Sequence, residues 1–178
     1  MSRIFFFCGL FFLSLQAAAV GVEIYPVNHQ TRFERDEEHA LSAVNTRHFA
    51  AGLSAGEWAG LLEYSSYDNV SGPAYSRITR RHQELVLWGR REFPLSPAWI
   101  LSGAAGLGMS REDFATRFGD QETINDNGGD AFVGAVSAGL AFEMKKTLRL
   151  SLEGRLFFGS QMDPTVQPDV VLRSGFRF

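Results

Sequence analysis

The feature that most constrains this chain is a strict two-residue alternation of side-chain character in its last third. From Leu148 to Phe158, Leu148, Leu150, Leu152, Gly154, Leu156 and Phe158 fall on one side, and Arg149, Ser151, Glu153, Arg155 and Phe157 on the other. Successive residues of a β-strand point to opposite faces, whereas a helix would spread those charges round its circumference. The stretch therefore predicts a strand with one greasy face and one ionic face. The pattern returns where Val170, Leu172, Ser174, Phe176 and Phe178 oppose Val171, Arg173, Gly175 and Arg177. It returns again where Phe132, Gly134, Val136, Ala138, Leu140 and Phe142 oppose Val133, Ala135, Ser137, Gly139, Ala141 and Glu143, and over Trp99 to Met109. In these four strands the apolar face carries no charge, while Glu143, Arg149, Glu153, Arg155, Arg173 and Arg177 all fall on the opposite face.

Earlier stretches read in the same way. Trp58, Gly60, Leu62 and Tyr64 alternate with Ala59, Leu61, Glu63 and Ser65, and Phe49, Ala51 and Leu53 with His48, Ala50, Gly52 and Ser54. Leu85, Leu87, Gly89 and Phe93 oppose Glu84, Val86, Trp88, Arg90 and Glu92, with Val86 and Trp88 leaving the phase open. A first strand is placed near Val22 to Asn28, although Pro26 cannot donate to a ladder there. The joints take turns in length. They are short at Ala55 to Glu57, Pro94 to Pro97 and Lys145-Lys146, and long and polar at Arg32 to Leu41, Asn69 to Arg77, Arg111 to Asp130 and Ser160 to Gln167.

The expected fold is all-β: an eight-stranded antiparallel up-and-down transmembrane β-barrel, with tight turns and both chain ends on one rim, the periplasmic one. Closure pairs every backbone group, which hydrocarbon demands. Eight strands enclose a lumen just wide enough to be filled by side chains. The charges expected inside are nearly balanced: Arg90, Arg149, Arg155, Arg173 and Arg177 against Glu23, Glu63, Glu84, Glu92, Glu143 and Glu153. Each would be costly unpaired, so mutual pairing in a plugged lumen is expected over an open ion path.

The first 19 residues, MSRIFFFCGLFFLSLQAAA, set Arg3 before an apolar run from Ile4 to Leu15 and end in Ala17-Ala18-Ala19. That run is shorter than the roughly 20 residues a helix needs to cross a bilayer. It reads as a secretory signal peptide cleaved after Ala19, leaving residues 20–178 as the barrel domain. The only cysteine, Cys8, leaves with it, so no disulfide, zinc cluster or thiol nucleophile is expected. An exported chain without cysteine fits a bacterial envelope. A net charge of −3 provides no basic field for a nucleic-acid partner.

The closing segment, Asp169 to Phe178, resembles the carboxy-terminal targeting strand of outer-membrane barrel proteins, which ends in an aromatic residue preceded by apolar residues at every second position. The matching residues are Val170, Leu172, Phe176 and Phe178, and Ser174 departs from the pattern. The resemblance implies recognition of this strand by the barrel assembly machinery. The whole chain after residue 19 is similar to the small OmpA-like transmembrane barrels, without the periplasmic wall-binding domain of the full-length OmpA type, so a wall-tethering role is not expected.

The four histidines, His29, His39, His48 and His82, are the candidates for general-base chemistry. Lipid A deacylase-like barrels pair a His with a Ser two positions on; here Ala50 follows His48, and His39 to Ser42 is a spacing of three, which a strand places on opposite faces. No catalytic residue is assigned, and a lipid-modifying enzyme stands as the alternative. Asn125-Asp126-Asn127-Gly128 resembles half of a calcium loop, but Thr123 and Gly134 stand where acidic ligands belong, so no metal and no cofactor is expected. Arg77, Arg80 and Arg81 cluster where a strand would leave the outer leaflet, and guanidinium forks suit lipopolysaccharide phosphates. The expected reading is a monomeric, non-enzymatic barrel serving envelope integrity or surface interaction, with outer-membrane lipid and lipopolysaccharide as its partners. A narrow channel and a soluble periplasmic calyx are the remaining alternatives.

Overall fold

The computed structural model describes residues 20–35, 41–71, 76–118, 121–125, 130–145, 147–159 and 166–178. The expected signal peptide, its cleavage after Ala19 and His39 lie outside them. Every regular element among the described residues is a strand: β1 (Val20–Arg35), β2 (Leu41–Ala55), β3 (Trp58–Ser71), β4 (Ser76–Pro94), β5 (Trp99–Phe118), β6 (Gln121–Asn125), β7 (Asp130–Met144), β8 (Leu148–Gly159) and β9 (Val166–Arg177). All pairings are antiparallel, and each long strand pairs with its neighbours in the chain. β1 also pairs with β9, from Glu23↔Arg177 to Arg32↔Asp169. Val22 and Phe178 exchange backbone hydrogen bonds of 3.0 and 2.9 Å at that seam. The ring is thus closed by eight long strands, and the short β6 pairs with the upper part of β5, from Phe114↔Asn125 to Phe118↔Gln121.

The turns at one rim are tight for local reasons. Gly56, at φ 61°, and Glu57 join β2 to β3, and Lys145, at φ 55°, begins the turn into β8. Between β4 and β5, the Ser96 hydroxyl accepts hydrogen bonds from the backbone N–H of Ala98 (3.3 Å) and Trp99 (3.1 Å). Val20 and Phe178 lie on the same rim as these turns.

Within the apolar band the phase of each of the eight long strands follows the apolar alternation. Val22, Phe49, Leu62, Leu87, Leu107, Val136, Leu152 and Leu172 are exposed on the outside, and Glu23, Glu63, Glu84, Arg149, Arg155 and Arg173 are buried inside. Val86 and Trp88, which left β4 ambiguous in sequence, face the interior at 2% exposure each.

Four expectations are corrected. The first strand is not confined to Val22–Asn28; it runs on to Arg35 through a bulge. Tyr25↔Ala50 is followed by Asn28↔His48, and Ile24↔Phe176 by Val27↔Ser174, so β1 carries one residue more than either neighbour. Pro26 sits in that bulge, where its missing N–H breaks no ladder bond. The Asn28 side-chain amide bridges the irregularity, donating to the carbonyls of Tyr25 (2.9 Å) and His48 (3.1 Å). The polar stretch Arg111–Asp130, expected as a long loop, is largely strand, with β5 reaching Phe118 and β6 pairing back on it. β9 likewise begins at Val166, inside the expected Ser160–Gln167 joint, and Arg32 lies in a strand instead of opening a loop.

Candidate functional site

The closed ring places the inward charges in three tiers. Nearest the short turns, Arg90 contacts Glu23 and lies 2.7 Å from Glu92. Arg149 lies 2.6 Å from Glu92 and 3.5 Å from Glu143, and Arg177 reaches Glu92 and Glu143, each at 3.1 Å. The Tyr25 hydroxyl donates to Glu23 at 2.8 Å. Three guanidinium groups thus meet three carboxylates. The middle tier joins Arg155 to Glu63 (3.0 Å) and Glu153 (3.1 Å), and Arg173 to Glu63 and to Glu153 (3.3 Å). His48 Nε2 lies 3.0 Å from Glu63. Each ion is buried but shared between partners, the arrangement in which low-dielectric attraction offsets lost hydration.

Above the middle tier the interior turns apolar. Trp88 and Phe157 meet edge to face with centroids 6.0 Å apart, beside Leu61, Val86, Val133 and Ala135. The Arg155 guanidinium lies 4.9 Å from the Trp88 ring and that of Arg32 lies 4.8 Å from Phe157, so cations cover both sides of this aromatic layer.

The third tier is built on Arg32, whose expected place was a loop. It donates to Glu84 through two parallel contacts of 2.8 and 2.7 Å and to Asp169 at 3.0 Å. Gln30 donates to Asp169, and the Thr46 hydroxyl donates to Gln30 at 2.8 Å. His82, stacked on Tyr67 at 5.0 Å, places Nε2 2.9 Å from Glu84. Ser65 Oγ also donates to Glu84, at 3.2 Å, so the hydroxyl and the imidazole share one acid instead of addressing each other. Arg32, Gln30, Asp169 and His82 are lumen residues outside the expected charge network, and His48, on the expected inward face of β2, joins it. For Asp169 the signal was available: it is in phase with the inward Val171 and Arg173.

The sequence-selected arginines of β4 do not share a face. Arg80 follows the inward phase of His82 and Glu84 and lies 3.4 Å from Glu112. Arg81 follows the outward phase and donates to Asp68 at 3.0 Å. Arg77 stands opposite Arg117 in the β4–β5 ladder. Outside, directly above the apolar row Tyr64–Leu85–Met109–Phe132, comes a row Ser66–Gln83–Arg111–Asp130, then Asp68–Arg81–Asp113. Arg111 donates to Asp113 at 3.0 Å. In the closing strand Val170, Leu172, Phe176 and Phe178 all point outward, and the Phe176 and Phe178 rings stack at 6.2 Å.

No protein-family model matches the chain, and no curated protein matches its sequence. Solved structures do match its architecture. Neisserial surface protein A superposes with a TM-score of 0.66 at 13% identity, over 91% of this chain and 98% of that one. The fold is that of the small outer-membrane β-barrels. Ail, the attachment invasion locus protein of Yersinia pestis, matches with a TM-score of 0.60 at 17% identity, over 90% of this chain and 99% of its own. The N-terminal β-barrel domain of Pseudomonas aeruginosa OprF matches with 0.56 at 13%, over 89% and 96%. The match spans nearly the full length of each of these chains.

Proposed function

We propose that this chain is an integral barrel of the bacterial outer membrane, exported by a signal peptide cleaved after Ala19. It has a plugged lumen and no enzymatic role, and it serves envelope integrity or surface interaction. The observation that carries this reading is the pairing of an apolar outer wall with an interior filled by shared ion pairs. In water the wall would expose a contiguous apolar surface far larger than soluble monomers carry; in lipid it is matched. The likeness to outer-membrane proteins supports the location. In this reading the short-turn rim, with both chain ends, faces the periplasm, and the Phe178 strand is read by the barrel assembly machinery. The barrel acts as a monomer.

The opposite rim would carry the surface role. There β4 and β5, the longest strands, stand above the apolar band with β6, and the Arg81 and Arg111 rows sit at headgroup height beside lipopolysaccharide phosphates. Heat-modifiable migration in detergent gels together with outer-membrane fractionation tests the reading. Steady single-channel conductance in planar bilayers, or altered lipid A mass in a deletion strain, would replace it with a channel or an enzyme.

A further inference from the structure

Below its Gln83 row, β4 turns one charge toward the outside of the wall. On its outward face Leu85, Leu87 and Gly89 are followed by Arg91 and Phe93, all exposed. Among the described residues, Arg91 is the one Asp, Glu, Lys or Arg side chain on that face between the short-turn rim and the Gln83–Arg111–Asp130 row. An arginine on a lipid-facing wall is costly at mid-depth and nearly free at the interface. Arg91 is at the interface: it pairs in register with Trp58, the first residue after the Gly56-Glu57 turn.

Its guanidinium carbon lies 5.4 Å from the Trp58 ring centre and 5.1 Å from that of Phe93. The rings attract the faces of the cation, which leaves its N–H donors, all in the plane of the group, directed at an acceptor beside its edge. Glu57 stands 3.5 Å away, with both side chains about half exposed, a contact of little strength in water. On the other ladder Arg91 is opposite Gly103, where even a Cβ would meet only the Ser137 carbonyl, at 3.9 Å. That flank is open.

We propose that Arg91, held between Trp58 and Phe93, binds the phosphate of an anionic glycerophospholipid in the leaflet beside the short turns. The occupant follows from continuity. The site merges with the apolar wall at Leu101 and Phe93, so its ligand carries acyl chains, and the planar cation selects an anionic head. The inference rests on the reading of the wall as lipid-facing.

Trp58 is a built-in reporter. The protein is folded into phosphatidylcholine vesicles containing an equal mole fraction of either brominated phosphatidylglycerol or brominated phosphatidylcholine. Trp58 emission is taken as the difference from Trp58→Phe. The brominated anionic lipid should quench about five-fold more effectively, the preference expected of one interfacial arginine. Arg91→Gln should abolish that preference, and Glu57→Gln, which removes the competing carboxylate, should raise it. Gly103→Leu keeps the charge but fills the open flank, and should also lose it. Equal quenching by the two lipids, or a preference that survives both Arg91→Gln and Gly103→Leu, overturns the proposal while leaving the lipid-facing wall intact. Quenching by neither lipid overturns both.

Discussion

Arg32 and Glu84 meet across the lumen from strands that share no ladder, through paired contacts of 2.8 and 2.7 Å, and both side chains are 1% exposed. Asp169 completes the arrangement on the other side of the guanidinium. Arg32→Ala would leave two carboxylates buried around an empty centre, with a loss of about 3–5 kcal/mol of folding stability. Urea unfolding in lipid vesicles measures it. The double variant Arg32→Met with Glu84→Gln should lose less than the sum of the two single changes, and a double-mutant cycle reads that coupling.

Leu152 faces outward between Leu140 and Leu172 on neighbouring strands. Leu152→Arg should cost about 2–4 kcal/mol in vesicles, the range for a charge set into the lipid face near mid-depth. Its neighbour Glu153 is buried inside with Arg155 and Arg173 as partners, and Glu153→Gln should be felt instead through the two arginines it leaves. Vesicle unfolding of the pair separates a wall effect from a lumen effect.

Two glycines of adjacent strands should respond oppositely to the same change. A Cβ at Gly108 would fall 2.2 Å from the Leu85 carbonyl oxygen and 2.9 Å from Val86 Cα, so Gly108→Ala should destabilise by about 1–3 kcal/mol. At Gly134 a Cβ meets nothing within 4 Å. Gly134→Ala should leave stability within about 1 kcal/mol of the parent or raise it slightly. Thermal shift in detergent, read by heat-modifiable migration, compares them.

Phe178 both closes the ring against Val22 and ends the outward row of the last strand. Phe178→Ala keeps the backbone pair and removes only the ring. Refolding into detergent should be nearly unchanged, whereas the amount assembled in the outer membrane of cells should fall several-fold. Equal assembly of both forms would separate this residue from recognition by the assembly machinery.

How far the sequence could be read depended on whether the two faces of a strand meet different surroundings. Between apolar wall and ionic lumen they do, and the phase of β8 and β9 was legible at every residue from Leu148 to Phe158 and from Val170 to Phe178. Above the apolar band Arg111, Glu112 and Asp113 set charges on alternate sides of β5 in succession, so the stretch to Phe118 shows no apolar alternation and reads as loop. β1 failed for another reason. The extra residue at its bulge shifts the inward phase from Glu23 and Tyr25 to Asn28, Gln30 and Arg32, so an unbroken count places Arg32 on the wrong side. The third tier of the lumen was hidden with it, because Glu84 alone does not reveal a partner on a strand whose phase has slipped. Arg91 interrupts the apolar row between Gly89 and Phe93 only where the band ends, so the alternation carries no sign of it.

The most direct measurement is collision accessibility of spin labels at single cysteines replacing Leu87, Leu140 and Leu152 on the wall, and Val133 and Ser151 in the lumen, with the protein folded in vesicles. Labels at the three leucine positions should collide readily with oxygen and be shielded from a water-soluble nickel chelate, while those at Val133 and Ser151 should be shielded from the acyl chains. Wet labels at Leu87, Leu140 and Leu152, with lipid contact at Val133 and Ser151, would contradict a barrel that turns its apolar face to hydrocarbon.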